Sequence, residues 1–214
     1  MKLWFPERPV AVNKIAPVWR DVGISVKGWD SDKIYNKNKK YLYVFAVDTI
    51  PLNTNSVKWK LRVGYETGYD RNSKLTYTDY SATTVKRNLF DIETRVDIKP
   101  VGLSIEGGYL FDNPTNAKDE NGNEVSLGNA KGFYVQGDYQ APKLKKLHIV
   151  GRYSWVDPNT EIEDKNDVSY TSLGFYYLMN KWQAAIRGAY IWANEREVSE
   201  IDNNLAVVEF QLLF

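Results

Sequence analysis

The chain has 214 residues, 28 Lys and Arg against 27 Asp and Glu, a single His and no Cys. That length suits one domain, taken as residues 1–214. The balanced charge offers no basic footprint for nucleic acid, and the absence of Cys excludes disulfides and thiolate metal sites. Mean hydropathy is −0.48, and no run of about 18 apolar residues occurs, which excludes a transmembrane helix. A membrane barrel escapes that test, because only alternate residues of its strands need be apolar.

The N-terminal stretch MKLWFPERPVAV has no signal-peptide apolar core or cleavage site, so either a signal has been removed or the chain continues a longer one. Strand-like alternation then recurs about ten times: near 19–29, 40–49, 56–67, 85–98, 100–111, 130–140, 145–156, 168–178, 181–193 and 204–214. Most of these segments are about ten residues or longer, the length of a tilted strand crossing a bilayer, whereas soluble strands average about five or six. Long polar connections are expected at 30–39, 68–84, 112–129, 157–167 and 194–203. Short ones alternate with them at 50–55, Lys99-Pro100, Ala141–Lys143 and Asn180-Lys181. Outer-membrane barrels sort their connections this way, with tight turns facing the periplasm and long loops facing outside.

Each strand has two chemically distinct faces. In LHIVGRYSW, Leu147, Ile149, Gly151, Tyr153 and Trp155 oppose His148, Val150, Arg152 and Ser154. Elsewhere Trp59, Leu61 and Val63 oppose Lys58, Lys60 and Arg62, and Val208 and Phe210 oppose Glu209 and Gln211. Charges fall at mid-strand on the polar faces, and Trp or Tyr falls near the ends of the apolar ones, as in the aromatic girdles where lipid meets water. The expected fold is therefore an all-β, transmembrane, antiparallel up-and-down β-barrel, with the apolar face toward lipid and Arg152 toward a pore. The closing EFQLLF, ending on Phe214, fits a bacterial outer-membrane strand.

Several stretches resemble the phosphate- and polyphosphate-selective porin family, porins O and P and their relatives. In ERPVAVNKIAPVWRDVGISVKG at 7–28, Glu7, Arg8, Pro9, Ala16, Pro17, Arg20, Asp21 and Gly23 stand at matching positions. GFYVQGDYQ at 132–140, RYSWVDPNT at 152–160 and EFQLLF look like later strands of the family. The resemblance implies a porin of about sixteen strands, often trimeric, of which this chain would be the C-terminal portion. It also implies that the first strands and the inward-folded loops that narrow the pore precede Met1. The chain is then a fragment, one partner in an assembled barrel, or a short form.

An anion-selective pore calls for a surplus of inward cations, because a charged constriction enriches counter-ions. The inward cations are expected to be Lys27, Lys58, Lys60, Arg62, Arg95, Lys146, Arg152 and Arg187. The inward anions are expected to be Asp21, Asp48, Glu66, Asp91, Glu93, Asp97, Glu106, Asp138 and Glu209, so the two sets nearly cancel. Lys58, Lys60 and Arg62 form a basic ladder, with Asp91 and Glu93 expected opposite on the next strand as cross-strand counter-charges. Phosphate specificity comes from the resemblance alone.

His148 is expected to line the lumen; a catalytic role would need a carboxylate or amide partner, for which Gln136 and Asp138 are placed, and no serine pattern marks a nucleophile. DENGNE at 119–124 reads first as a mobile turn rather than a calcium loop. No cofactor or metal is expected. The functional expectation is passive diffusion of small hydrophilic solutes, anions such as phosphate among them, across the bacterial outer membrane. Lipid or lipopolysaccharide would surround the barrel, and a homotrimer or partner chains would complete it. The rivals are a structural barrel that sheathes or anchors a partner, a barrel enzyme, and a soluble β-sandwich or barrel.

Overall fold

The structure is a computed structural model that describes residues 42–71, 84–118, 121–125, 127–161, 167–180, 184–195 and 204–212. The expected strand at 19–29 lies outside the described residues. The others form, as β1 (Leu42–Asn53), β2 (Val57–Arg71), β3 (Thr84–Ile98), β4 (Leu103–Asp112), β7 (Ala130–Gln140), β8 (Leu147–Asp157), β9 (Val168–Asn180), β10 (Ala184–Glu195) and β11 (Leu205–Leu212). They make one sheet in the order β1-β2-β3-β4-β7-β8-β9-β10-β11, with every neighbour antiparallel. This is an up-and-down meander. Among the described residues, β1 and β11 each pair with a single neighbour, so the sheet is not closed.

One expectation is corrected in the 112–129 connection, which carries β5 (Thr115–Lys118) and β6 (Glu124–Val125) rather than loop alone. β5 continues the β3 ladder and pairs with β6. Here Val85, Ala117 and Leu127 bury an apolar cluster. Strands of four and two residues are too short to show alternation, and what holds them is this cluster. Within DENGNE, Gly122 takes φ +84°, a left-handed value open to glycine without strain, and Glu124 enters β6.

Local chemistry sets the short connections. Thr54 Oγ1 accepts from the Val57 amide at 2.9 Å and closes the β1–β2 turn. Between β3 and β4, Lys99–Val101 forms a 3-10 turn that ends on Gly102 at φ +65°, whose amide donates to the Lys99 carbonyl. Pro51 has no amide to donate, and the β1–β2 register shifts there, between Thr49 and Leu52. Antiparallel pairing puts alternate connections at the same end in any meander; the information lies in their lengths. The gaps 54–56, 99–102, 141–146 and 181–183 fall at one end, and 72–83, 113–129 and 158–167 at the other.

The two faces are inverted relative to a water-soluble barrel. Phe45, Val63, Ile92, Ile105, Val135, Ile149, Tyr153, Phe175 and Phe210 are exposed, whereas Arg62, Glu66, Asp91, Asp138, Arg152 and Arg187 are buried. A flat sheet would leave both faces equally open, so this one curls around its polar side. Small residues let the curl tighten: a Cβ on Gly174 would lie 2.5 Å from the Gly188 carbonyl oxygen on β10. Gly174→Ala is expected to lower the urea midpoint by the equivalent of about 1–3 kcal/mol, since backbone must move. An unchanged midpoint would show that the β9–β10 spacing is slack.

Candidate functional site

The polar face is the candidate site, and its register is legible row by row. One row runs Asp48–Arg62–Glu93, and a second runs Lys60–Arg95–Glu106–Gln136–Arg152–Ser172. A third, nearer the short turns, runs Lys58–Asp97–Ser104–Asp138–Val150. The expected counter-charges of the basic ladder therefore need correction. Glu93 does stand opposite Arg62, but Asp91 faces Gly64, Lys58 faces Asp97, and Lys60 faces another cation, Arg95. The turn decides this register: the Lys99 amide donates to the Ser56 carbonyl at 2.9 Å, and the charges follow from it.

Like charges in the middle row are compensated from the side. Arg95 Nε donates to Asp97 Oδ1 at 2.7 Å, and its Nη1 lies 3.7 Å from Glu106 Oε2. Ser104 Oγ donates to the same Asp97 oxygen at 2.8 Å. Tyr134 carries its hydroxyl between Glu93 and Glu106, at 3.1 and 3.2 Å, and Gln136 Nε2 donates to Glu106 at 3.1 Å. Arg187 donates to Gln211 and lies 3.8 Å from Glu209. At the long-connection end, Arg87 and Asp112 form a fully buried pair at 2.6 Å. Much of this wall is knitted together by pairs of opposite charge.

Exposure separates the expected pore-lining residues into two groups. Arg62, Asp91, Arg152 and Arg187 are packed in, with Arg152 only 5 % and Asp91 only 1 % exposed. Glu93, Arg95 and Lys58 are half-buried, and Lys60 is open. Lys146, expected inward, instead sits exposed on the β7–β8 turn and donates to the Met179 carbonyl. A turn residue has no fixed face, so strand alternation could not place it. Lys27 and Asp21 lie outside the described residues.

His148 meets the partner that alternation allowed. Its Nδ1 lies 2.7 Å from Asp138 Oδ1, while Tyr176 donates its hydroxyl to the other Asp138 oxygen at 2.5 Å and stacks on the imidazole with centroids 4.3 Å apart. Beside this trio a cavity of about 420 Å³ opens at the short-turn end of the polar face. Ser104 lines it too, but its hydroxyl is bonded to Asp97, and no nucleophile–base contact with His148 is formed among the described hydrogen bonds. Tyr176 and the Arg87–Asp112 pair escaped sequence reasoning. Each partner lies more than twenty positions away, and a lone Tyr or Arg on a polar face carries no signal of its own. Among the described residues, no group of three or more His, Cys, Asp or Glu side chains is arranged to hold a metal ion, and no helix is long and apolar enough to cross a membrane. No protein-family model, curated protein or solved structure matches this chain.

Proposed function

We propose that this chain forms, alone or with further strands, a bacterial outer-membrane β-barrel of the porin type. It gives small hydrophilic solutes, anions among them, a passive path past its charged inner wall. The observation that carries this reading is the inversion of the two faces, with Val208 81 % exposed beside a half-buried Glu209 on the same strand. Water would penalise so many open apolar side chains, whereas lipid accepts them. Strand length and the one-ended short turns support the same environment.

Lipid also forbids an open sheet edge, because unpaired amides and carbonyls have no water there. β1 and β11 both run from the long-connection end toward the short-turn end, so pairing them directly would be parallel. Closure as an antiparallel barrel therefore takes an odd number of strands between them. That parity suits both a ten-stranded barrel and the sixteen-stranded barrel that the porin resemblance implies. The phosphate-selective family and a trimer remain part of the proposal on that resemblance.

The test is conductance in planar bilayers under a salt gradient. The wild type is expected to give an anion-biased reversal potential, and the double substitution Arg152→Glu with Arg187→Glu to shift it toward cations, with heat-modifiable gel mobility confirming that the variant folds. A variant that folds and keeps the wild-type reversal potential would take both arginines off the path. The burial of Arg62, Arg152 and Arg187 favours a second reading, a structural barrel whose interior is filled by its own side chains. A folded wild type that passes no current would leave that reading standing and sink the first.

A further inference from the structure

A cavity of about 420 Å³ opens at the short-turn mouth of the polar face, and several acceptors on its wall take no described hydrogen bond. Each donor side chain of the wall already makes at least one hydrogen bond. Arg95 is spent on Asp97, Ser104 and Glu106, and Lys99 Nζ donates away from the cavity to the Thr54 carbonyl at 2.7 Å. Gln140 gives one amide N–H to the Lys145 carbonyl at 2.6 Å, and its oxygen accepts no described hydrogen bond. Asp97 receives both of its bonds on one oxygen, Oδ1, so Oδ2 also remains over.

His148 adds the directional element. Its Nδ1 lies against two oxygens, Asp138 Oδ1 at 2.7 Å and the Tyr176 hydroxyl at 2.8 Å, and the Tyr176 proton is already given to Asp138 Oδ2. Both neighbours are acceptors toward Nδ1, which assigns the proton to that nitrogen in the neutral ring. Nε2 is then a bare lone pair, and none of the described hydrogen bonds uses it. The ring that carries it is fixed by the stack on Tyr176. Leu178, on the same face of β9 as Tyr176, supplies aliphatic wall beside these acceptors.

We infer that this cavity is a binding site for a small organic ammonium. The ligand's N–H groups would be received by His148 Nε2, Asp97 Oδ2 and Gln140 Oε1, and its hydrocarbon part would lie on Leu178. Unpaired acceptors beside aliphatic wall are the complement of an amine, and a volume of this size holds a small molecule. The site goes beyond passive diffusion and does not depend on it, since binding is measurable in detergent without any bilayer. It also gives the mouth a chemistry opposite to the anion bias proposed for the wall.

The single histidine makes the test direct, because an imidazole-15N-labelled sample carries one ring. At pH 8 the spectrum is expected to show a protonated Nδ1 and a bare Nε2. Titration with n-butylammonium is expected to move the Nε2 resonance saturably, and isosteric butyrate to leave it in place. Asp97→Asn is expected to weaken the apparent affinity by about tenfold, the loss of one charge-assisted hydrogen bond. Gln140→Leu, at the rim, gives a second variant should the loss of the Arg95 partner disturb folding; its affinity should fall as well. Saturation by butyrate, saturation by neither probe, a ring protonated at Nε2, or undiminished affinity in both variants would each overturn the assignment.

Discussion

Replacing Val135 by arginine is expected to cost about 2–4 kcal/mol of folding stability in a bilayer, the penalty for a cation on the lipid face at mid-depth. Val135 stands midway along β7, is 50 % exposed, and pairs between Gly107 on β4 and Tyr153 on β8. On a sheet whose apolar face met water, so exposed a substitution would change stability by no more than about 0.5 kcal/mol. The two environments therefore differ by a factor large enough to read from a urea titration of the protein folded into phospholipid vesicles. Depth supplies the internal control. Ile149→Arg lies closer to the short-turn end of β8 and is expected to cost about 0–1 kcal/mol, since a long cation there reaches the interface. Equal and small costs at both positions would place the apolar face against water or another protein and remove the membrane reading.

Arg87→Ala carries the other large effect, expected at about 3–5 kcal/mol, because it strands a buried carboxylate. Asp112 has its Oδ2 2.6 Å from Arg87 Nη2, while its Oδ1 has no hydrogen-bond partner, so this guanidinium is its main compensation. The pair sits where β3 meets the end of β4, beside the Val85–Ala117–Leu127 cluster that holds the β5–β6 hairpin. Hydrogen exchange in β5 and β6 should accelerate in the variant before exchange in β7–β9 does. Changing both partners, Arg87→Met with Asp112→Leu, is expected to recover most of the loss, since an apolar pair leaves no orphaned charge. A loss of about 1 kcal/mol or less for Arg87→Ala would show that water reaches the pair.

Nine of the expected strands were legible because each is long and alternates cleanly, as in Leu147–Asp157, where Ile149 and Tyr153 face out while Arg152 and Ser154 face in. The side of each residue was legible for the same reason: a period of two assigns every side chain to one face or the other. The neighbours within a face were not. Asp91 and Glu93 belonged to the right face and the right strand, yet only Glu93 came level with Arg62. A shift of two positions keeps every residue on its face while exchanging all of its cross-strand partners, so alternation cannot detect it. Lys146 was misplaced because the β7–β8 turn has no alternation to follow.

The amino-acid sequence by itself determined the strand order, the two-faced character of each strand and the one-ended short turns, because these depend on period and on local turn chemistry. Tertiary structure alone decided which charges meet. Register, set by turns such as Ser56–Lys99, brought Tyr176 and Asp138 to His148 across 28 and 10 positions and paired Arg87 with Asp112 across 25. It also decided that the arginines expected in an open lumen are packed against their neighbours, since the curl of a sheet around its polar face is a property of all its strands together.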